Sequence, residues 1–511
     1  MSALERSQTQ AGALLKQLAS EESRSNYIIP ASEIELVRQL GSGGFGVVWK
    51  GRCRGQVVAV KVLHQQNMDE KMMKLFLSEI EILSKVRHPN AILFIGVCLE
   101  PGKLMIVTEL MHTSLEELIF NPKRKYHLID LLPIVRAAAS AMNWLHCCNP
   151  KIIHRDLKPG NILLDRFGNV SLSDFGLSEE LKYGRNTDTV FLWKGTFIYM
   201  APEVMTRDFF NEKIDVYSFG MILWQLMSRK LPFDDIETRK EIFERVCMQD
   251  YRPPIPEDTP PHLQRLIKAC WEKNPNDRPS FYSILMQLDR IIPKLAIPDT
   301  QGRKFWRMNY RGWDRVHFDD FIEEFMTFVD RKYLHDNNKI ALQEALCYGD
   351  PPIVTFQSFG RLVACFGPML EKDVEDPTCD ELSCAPFLRR LRDAESAHWY
   401  HGHISSEQCV ARLMGQPPGT FLIKASNIRL GGFSLVYVAE NGNIIRHSIG
   451  HTPMSVEVTM NGESYSGLSD LVAKNFTICS KPCPGSKFEV MAAKICDPGK
   501  HITSSPHIQR E

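Results

Sequence analysis

The sequence predicts a multidomain α+β protein in which a helical connector separates two domains of mixed strand and helix. The chain has 511 residues, more than one ordinary domain holds, and its 44% hydrophobic and 24% charged residues are typical of soluble globular proteins. Strand-like runs alternate with helical patterns before residue 291 and after residue 399. Between these regions a group of apolar residues recurs at helical spacing: Phe318, Phe321, Ile322, Phe325 and Phe328.

Charge and cysteine content exclude several classes of protein. The 61 Lys and Arg residues balance 61 Asp and Glu residues, so no net field directs the chain to nucleic acid or to an anionic membrane. The 14 cysteines are scattered, and the close pairs lack the C-x-x-C spacing of a zinc site. The first residues lack the build of a secretory signal, and no uninterrupted apolar run would span a bilayer. We therefore expect a cytoplasmic protein without direct membrane insertion, recruited to the membrane or cell cortex only through partners.

A glycine-rich segment follows the polar residues 1–33, which are expected to form a mobile head. A strand from Ile34 runs into L-G-S-G-G-F-G-V-V at residues 40–48, a pattern that fits a dinucleotide-binding fold as well as a nucleotide cradle between two strands. A second strand ending in V-A-V-K at residues 58–61 favours the cradle, because a dinucleotide-binding unit would begin a helix directly after the glycines. Glycines without a Cβ let the two strands fold closely over phosphates.

The segment around which the chain is organised is H-R-D-L-K-P-G-N at residues 154–161, followed by D-F-G from residue 174. Phosphoryl transfer needs a carboxylate for the attacking hydroxyl, ligands for magnesium and a cation for the transferred group. Asp156 supplies the carboxylate and Lys158 supplies the cation. Asn161 and Asp174 supply oxygen ligands for the metal ion.

These motifs resemble those of the eukaryotic protein kinases. The catalytic loop matches H-R-D-L-K-P-x-N, and V-A-V-K before residue 62 matches the V-A-I-K of the family. The resemblance covers residues 34–291 and implies a bilobal protein kinase fold that uses ATP and Mg²⁺. It implies a catalytic set made of Asp156, Lys158, Asn161, Lys61 and Glu79, with Asn161 and Asp174 as the metal ligands.

The kinase resemblance also implies a nucleotide site. Lys61 is expected to hold the α- and β-phosphates, fixed by Glu79 on a helix over residues 69–86, in which Glu81 is an ordinary surface residue. Thr108 guards the space behind the adenine, whose edge bonds the backbone of Glu109 and Met111. The complete expected set is Leu40, Gly41, Ser42, Gly43, Gly44, Phe45, Gly46, Val47, Val48, Ala59, Lys61, Thr108, Glu109 and Met111.

In the larger lobe the resemblance implies structural contacts and a regulatory segment. Glu203 is expected to form a buried ion pair with Arg278, and Asp215 to brace the backbone of the catalytic loop. Arg155 can pair with a phosphate on the activation segment, residues 174–203. The candidate phosphorylation sites there are Tyr183, Thr187 and Thr189, and the alternative is that these hydroxyls only keep the loop soluble.

Motifs of two kinase classes occur together. Lys158 and Gly195-Thr196 resemble serine/threonine kinases, whereas Trp224 and W-E-K-N-P-N-D-R-P-S at residues 271–280 resemble tyrosine kinases. The mixture resembles the tyrosine-kinase-like group, whose members are mostly serine/threonine kinases and in some cases dual-specific. We expect a serine/threonine-preferring, dual-specificity kinase that acts on proteins in signalling. The alternative is a signalling scaffold in which kinase turnover is minor.

The remaining chain is expected to form a connector, residues 292–398, an SH2 domain, residues 399–490, and a polar tail, residues 491–511. Asp336–Asn338 hint at a calcium loop, but alanine stands at the position of the required turn glycine. The SH2 resemblance rests on W-Y-H-G from residue 399 and G-T-F-L-I-K-A-S from residue 419. An SH2 domain that follows a tyrosine-kinase-like domain resembles the Shk family of dual-specificity kinases of social amoebae.

The SH2 resemblance implies a phosphotyrosine pocket that includes Lys424, Ser426 and His447. Lys424 stands where the family has the arginine of F-L-V-R, and Ser406 and Ile449 stand where relatives often carry cations. Arginine grips a phosphate through two parallel N–H groups, whereas lysine is a flexible point charge. We therefore expect weak binding of phosphotyrosine proteins. The alternatives are an unphosphorylated ligand or a structural brace for the kinase.

Overall fold

The computed structural model of the chain describes residues 27–42, 46–64, 70–100, 102–122, 126–181, 196–310, 315–329, 336–348, 352–372, 382–426, 430–451 and 457–486. Several residues of the sequence analysis lie outside these ranges: Gly43, Gly44, Phe45, Tyr183, Thr187, Thr189 and Gly195, with most of the head and the whole tail. The chain divides into two units, of which the first ends at Ile291 and the second begins at Ile292.

The first unit opens with a five-stranded antiparallel sheet. Its strands are β1 (Ile34–Ser42), β2 (Gly46–Cys53), β3 (Gln56–Leu63), β4 (Phe94–Glu100) and β5 (Lys103–Glu109), in the spatial order β1-β2-β3-β5-β4. The valine-rich β3 alternates its side chains between the two faces of the sheet, so that Val58 and Val60 are buried with Cys98 and Val107. Helix α1 (Glu70–Lys85) lies between β3 and β4 in the chain and buries Phe76, Ile80 and Leu83.

The rest of the first unit is mainly helical. Its helices are α2 (Leu115–Ile119), α3 (Leu128–Cys147), α4 (Pro202–Met205), α5 (Lys213–Ser228), α6 (Arg239–Phe243), α7 (Pro261–Cys270) and α8 (Phe281–Ala296), the last of which continues past Ile291. Short strand pairs carry the loops between them. Strand β7 (Lys151–Ile153) pairs with β10 (Glu179–Leu181), and β8 (Ile162–Leu164) lies between β6 (Thr113–Ser114) and β9 (Val170–Leu172).

Helix α3 is the one helix among the described residues that is long and apolar enough to cross a membrane. Its 18-residue window has a mean hydropathy of 1.3, and 56% of that window is buried inside the protein. Leu131, Leu132 and Val135 are fully buried, and a capping box of His127 and Asp130 begins the helix. These contacts identify α3 as a core helix of the first unit.

The second unit begins with the predicted helical connector, which has an aromatic core of its own. Its elements are α9 (Thr300–Asn309), β11 (Arg315–His317), α10 (Phe318–Val329), α11 (Asp336–Leu346), β12 (Cys347–Tyr348), β13 (Ile353–Thr355), α12 (Phe356–Phe366) and α13 (Ala385–Ser396). The ring of Phe305 lies 5.3–5.8 Å from the rings of five other aromatic residues: Tyr310, Phe321, Phe325, Phe328 and Phe359.

The connector consists of two helix–loop–helix units whose loops are joined by an antiparallel bridge. Val316 on β11 lies opposite Val354 on β13, so that α9 and α10 flank one loop and α11 and α12 flank the other. This is the order of helices and loops of two EF-hands. The segment Asp336–Asn338 forms the first turn of α11 and therefore does not form the calcium loop at which its sequence hints.

The SH2 region folds as a six-stranded sheet with two helices. One helix precedes the first strand in the chain, and the other precedes the last strand. The elements are α14 (Ser406–Leu413), β14 (Thr420–Ala425), β15 (Phe433–Val438), β16 (Ile444–His451), β17 (Val458–Met460), β18 (Glu463–Tyr465), α15 (Leu468–Lys474) and β19 (Lys481–Pro482). The strand order is β18-β17-β16-β15-β14-β19. Helix α14 buries Cys409 and Leu413 against Leu422 and Val436, which lie on one face of the sheet.

Connector and SH2 region pack against each other within the second unit. The ring of Phe366, at the end of α12, lies 6.1 Å from the ring of Tyr400 and 6.2 Å from that of Phe433. Gly431 precedes β15 with a φ of +77°, and a Cβ on it would lie 2.6 Å from the carbonyl oxygen of Ala364. The boundary that the sequence placed at residue 399 is therefore crossed by tight side-chain and backbone packing.

Candidate active site

Lys61 on β3 lies between two carboxylates. Its Nζ is 2.7 Å from Glu79 Oε1 on α1 and 3.1 Å from Asp174 Oδ1. Burial of Ile80 and Leu83 turns one face of α1 inward and brings Glu79 with it, whereas Glu81 is exposed and pairs with Lys85. The ion pair that the sequence predicted between Lys61 and Glu79 is thus formed.

Burial and charge oppose each other in this cluster, and burial holds the pKa of Glu79 above its ordinary value even beside Lys61. Burial disfavours the ammonium of Lys61, but the carboxylates of Glu79 and Asp174 outweigh this effect and hold the pKa of Lys61 above its ordinary value. Burial alone would raise the pKa of Asp174, but the Lys61 ammonium outweighs burial and holds this pKa below its ordinary value. Both groups are charged at neutral pH, and the cluster therefore offers a cation for phosphate oxygens beside an anionic metal ligand.

The D-F-G segment has the backbone that this cluster requires. Asp174 adopts a φ of +62°, in the left-handed region that non-glycine residues seldom occupy. A Cβ on Gly176 would lie 3.1 Å from Glu79 Oε2 and 3.3 Å from Lys61 Nζ, so glycine leaves room for the ion pair. Phe175 is buried, with its ring 5.3 Å from that of His154. This spatial role of the glycine is not visible in the sequence.

Three residues converge at the carboxylate of Asp156. Lys158 Nζ lies 2.7 Å from Asp156 Oδ2, and Asn161 Nδ2 lies 3.1 Å from the same oxygen. The backbone N–H of Thr196 donates to Asp156 Oδ1 at 3.1 Å, and Lys158 Nζ also donates to Thr196 Oγ1 at 3.0 Å. These bonds fix the carboxylate in one orientation. In the sequence Thr196 indicated specificity, and its place at the catalytic carboxylate emerges only from the fold.

Asp215 on α5 holds the backbone of the catalytic loop, as the sequence predicted. Its Oδ2 accepts from the backbone N–H of His154 at 2.9 Å, and its Oδ1 accepts from that of Arg155 at 2.9 Å. His146 Nε2 lies 2.9 Å from Oδ2, a third partner that the sequence did not reveal. The brace stabilises Arg155 in a left-handed conformation with a φ of +64°, which turns the chain toward Asp156.

A second buried ion pair holds the end of the activation segment, at Glu203. Arg278 NH1 is 2.6 Å from Glu203 Oε1, and Arg278 NH2 is 2.9 Å from Glu203 Oε2. Both side chains are buried. The buried ion pair that the sequence predicted is thus formed, and the structure shows that it is bidentate.

The expected nucleotide-binding residues lie together on the sheet. Val48 on β2 is opposite Lys61 on β3. Ala59 lies two residues before Lys61, on the same face of β3, and is opposite Thr108 on β5. The backbone N–H of Glu109 donates to the carbonyl of Leu93 at 3.0 Å. The carbonyl of Glu109 accepts from Thr108 Oγ1 at 3.3 Å and has a second lone pair for a donor on an adenine edge. Leu40 is exposed at the rim.

The metal ligands expected from the sequence fit a hard cation. The Nδ2 group of Asn161 donates a hydrogen bond to the carbonyl of Asp156 at 2.7 Å, which leaves Asn161 Oδ1 as an acceptor. Asp174 is ionised beside it and part of its side chain is solvent-accessible. Amide and carboxylate oxygens are the donors that magnesium prefers. Asn161 and Asp174 would thus be suited to hold a divalent cation, which would screen the charge of bound phosphates.

The SH2 region presents a second cluster of cations on the α14 face of its sheet. Lys424 is 1% exposed and donates from Nζ to the carbonyl of Ile404 at 2.7 Å. Burial lowers the pKa of Lys424. Ser434 lies opposite Lys424, and Arg446 donates to Ser434 Oγ from Nε at 3.2 Å and from NH2 at 3.0 Å.

The structure corrects the predicted place of His447. His447 lies opposite Leu435 on β15 and stacks on Tyr437, with ring centroids 5.8 Å apart, on the face away from Lys424. Strand residues alternate between faces, so an error of one residue in register exchanges the two sides. Arg446 therefore replaces His447 in the pocket, and Ile449 is buried on the same side as His447. Ser426 directly follows β14, and its backbone N–H donates to the carbonyl of Gly432 at 2.7 Å.

The lysine–glutamate pair, the fixed catalytic aspartate and the D-F-G aspartate define the first unit as a protein kinase domain, followed in this chain by an SH2 domain. Residues 34–288 match the family of protein tyrosine and serine/threonine kinases, and residues 399–474 match the SH2 domain family. The kinase family acts on proteins with ATP and a divalent metal ion, and SH2 domains bind phosphotyrosine proteins.

The chain belongs to the Shk family of SH2-bearing protein kinases. It is 36% identical over 463 residues to the dual specificity protein kinase shkC of Dictyostelium discoideum, which covers 88% of this chain and 89% of the relative. It is 35% identical over 507 residues to shkA of the same organism, covering 92% and 93% of the two chains. A third relative from this organism, shkB, is 31% identical over 489 residues, with coverage of 92% and 72%.

Proposed function

We propose that this protein kinase is magnesium-dependent and dual-specific, with a preference for serine and threonine. The observation that supports the proposal is the convergence of Lys158, Asn161 and Thr196 on Asp156. Asp156 orients the acceptor hydroxyl and takes its proton, while Lys158 stabilises negative charge on the transferred phosphoryl group. Lys61 holds the nonreacting phosphates, and Asn161 and Asp174 hold Mg²⁺, which screens the phosphate charge.

The preference for short acceptors rests on the position of Lys158. Its ammonium spans from Asp156 Oδ2, at 2.7 Å, to Thr196 Oγ1, at 3.0 Å, and so occupies the space directly beside the carboxylate. A serine or threonine hydroxyl reaches Asp156 from a peptide backbone held close to this cation. A tyrosine hydroxyl stands farther from its backbone, and its peptide must therefore lie farther out. Relatives named as dual specificity kinases indicate that both acceptors are used.

Phosphoamino-acid analysis of the full-length chain after incubation with Mg²⁺ and ATP tests this function. We expect phosphoserine and phosphothreonine to dominate, with a minor phosphotyrosine component, and no product from Lys61→Ala. Phosphotyrosine as the sole product would refute the preference. If the wild type were as inactive as Lys61→Ala on every protein substrate, the chain would be a signalling scaffold instead.

The SH2 domain is proposed to bind phosphotyrosine weakly, with Arg446 as a second cation beside Lys424. Lys424 donates to the Ile404 carbonyl, and Arg446 donates to Ser434 Oγ. Ser434 lies opposite Lys424 on the α14 face of the sheet. Lys424 must exchange its bond to the Ile404 carbonyl for a phosphate oxygen, which reduces the net gain on binding. A charged hydrogen bond of about 1.5–3 kcal/mol is at stake.

Calorimetry of the full-length chain with phosphotyrosine peptides tests the pocket. Lys424→Arg is expected to bind about tenfold to a hundredfold more tightly than the wild type. Arg446→Ala should weaken binding, and His447→Ala, on the other face of the sheet, is the matched control. Equal loss in the Arg446 and His447 variants would contradict the assigned face. If no variant binds any peptide, the domain acts as a brace for the kinase.

We also propose a cytoplasmic location, with recruitment to the membrane or cell cortex through protein partners and no binding to nucleic acid. The balance of 61 basic and 61 acidic residues and the burial of α3 support this proposal. Retention of the protein in membranes after washing with high salt and carbonate would contradict it.

A further inference from the structure

A short segment before the kinase sheet, Tyr27–Ile29, lies along β4, and we call it the strap. Ile28 forms a parallel bridge with Val97, and the backbone N–H of Ile29 donates to the Val97 carbonyl at 2.9 Å. The side chain of Ile29 is 1% exposed within the core of the sheet. A Cβ on Gly96 would lie 2.5 Å from Ile29 Cδ1, so the glycine forms the socket for this side chain.

Tyr27 connects the strap to the end of α1. Its ring lies 5.5 Å from the ring of Phe94, and its hydroxyl accepts a hydrogen bond from Arg87 NH2 at 2.6 Å. The ring is half-buried, whereas Arg87 is exposed. The hydroxyl therefore points away from the core, toward a cation at the solvent boundary, where a larger anionic group has room to project.

Arg87 belongs to the loop that joins α1 to β4 and contacts the large lobe. His88 Nε2 lies 3.4 Å from Ser140 Oγ on α3, and Asn90 Nδ2 donates to the Val170 carbonyl at 3.0 Å. A cavity of about 290 Å³ beneath this loop is lined by residues of the strap, of α1 and of β4, among them Tyr27, Leu83, Val86 and Phe94. A stronger contact at Arg87 would therefore fix the end of the helix that carries Glu79.

We propose that Tyr27 is a phosphorylation site, that Arg87 binds its phosphate, and that this pair clamps the strap to the end of α1 and raises kinase activity. The proposal rests on the proposed dual specificity, since a second copy of this chain supplies the activity. The Tyr27 hydroxyl oxygen bonds to the γ-phosphorus of ATP, the bond from that phosphorus to the β,γ-bridging oxygen breaks, and ADP leaves. The hydroxyl proton passes to Asp156 of the acting copy and then to solvent.

The phosphate changes the strength of a contact that already exists. A neutral hydroxyl gives Arg87 one acceptor atom, whereas a phosphotyrosine carries a charge of about −1.5 to −2 and three acceptor oxygens. The guanidinium already makes a charge-assisted bond to the hydroxyl, but a phosphate adds the opposite charge and can accept two parallel N–H groups of Arg87. Because Arg87 follows α1 directly, the added bonds favour the position of α1 in which Glu79 reaches Lys61.

The test begins with the full-length wild type, incubated with Mg²⁺ and ATP and digested for mass spectrometry. We expect phosphate on Tyr27 in the wild type and none in Asp156→Asn. Activity toward a peptide substrate should rise by about fivefold or more as Tyr27 becomes modified, the lower range of ordinary allosteric coupling. Tyr27→Phe keeps the ring on Phe94 and should retain basal activity without this rise, whereas Tyr282→Phe, at an exposed tyrosine, should behave as the wild type.

Arg87→Gln separates the clamp from the modification. This variant should accept phosphate on Tyr27 and show no activation, and hydrogen exchange over residues 80–92 should slow only in the phosphorylated wild type. Activation of Arg87→Gln equal to that of the wild type would overturn the clamp. If the chain phosphorylates serine, threonine and another tyrosine but leaves Tyr27 unmodified, this inference fails while the proposed function stands. If it phosphorylates no residue, the proposed function has failed first.

Discussion

Replacing Glu203 by glutamine would leave the guanidinium of Arg278 buried without a counter-charge. Arg278 is 1% exposed and donates to both oxygens of Glu203, at 2.6 and 2.9 Å. Its other N–H groups donate to the carbonyls of Glu272, at 2.8 Å, and Lys213, at 3.1 Å. Glutamine keeps the shape of the side chain but turns an NH₂ group toward one guanidinium nitrogen. The variant thus loses both the charge and one of the two bonds.

The expected loss is large because water cannot replace the missing charge. Removing one partner of a buried ion pair costs about 3–5 kcal/mol. For a domain of this size each kcal/mol lowers the melting temperature by roughly 2–4 °C, so we expect a drop of about 6–20 °C. Replacing both residues with apolar ones, in Glu203→Leu with Arg278→Met, should recover most of the loss, since no charge then remains buried.

Thermal unfolding of the full-length chain measures this effect. The transition that moves upward with a nonhydrolysable ATP analogue belongs to the kinase unit, because ligand binding stabilises only the folded form. The control is Glu33→Gln, in the exposed pair of Glu33 with Arg54, where the melting temperature should stay close to that of the wild type. If Glu203→Gln were as stable as this control, Arg278 would have found another partner and the reasoning would be wrong.

Two further predictions concern catalysis and the second unit. Asp156→Asn should bind ATP normally but transfer phosphate about 10²–10⁴-fold more slowly, because the base is lost. Steady-state kinetics and a nucleotide titration would measure the two effects, and near-normal turnover would contradict the assignment of Asp156. Gly431→Ala should destabilise the second unit by about 1–3 kcal/mol in chemical unfolding, because a Cβ there would lie 2.6 Å from the Ala364 carbonyl at a φ of +77°. Gly442→Ala is the matched control, with a φ of +79° and no atom within 4 Å of the added Cβ, and an equal loss in both variants would exclude the clash as the cause.

The kinase site was predictable because its residues occur in short segments with fixed internal spacing. Asp156, Lys158 and Asn161 lie within one octapeptide, and Glu79 sits on a helical face whose apolar period is visible in the sequence. The contacts of Thr196 and His146 could not be read in the same way. They join residues that are 40 and 69 positions away from their partners, and no periodicity encodes such distances.

The SH2 pocket shows how a correct fold can carry a wrong residue. The strand around Arg446 and His447 was predicted, but the side to which each points depends on which residue of β15 lies opposite. The turn at Asn441-Gly442 joins the two strands, but the prediction did not follow the pairing outward from this turn and so chose the wrong face. The bridge between β11 and β13 was missed for a related reason, since three-residue strands are too short to show an alternation.

The strap has a consequence for where the kinase domain can be cut. Strand β4 is the outermost strand of its sheet, and Ile28 and Ile29 bond to its free side. An uncovered edge strand offers its N–H and C=O groups to other chains, which is a common route to aggregation. A fragment that begins at residue 34, where the kinase family match begins, would lose this cover and the side chain that fills the Gly96 socket. Soluble kinase fragments of this chain should therefore begin before Tyr27.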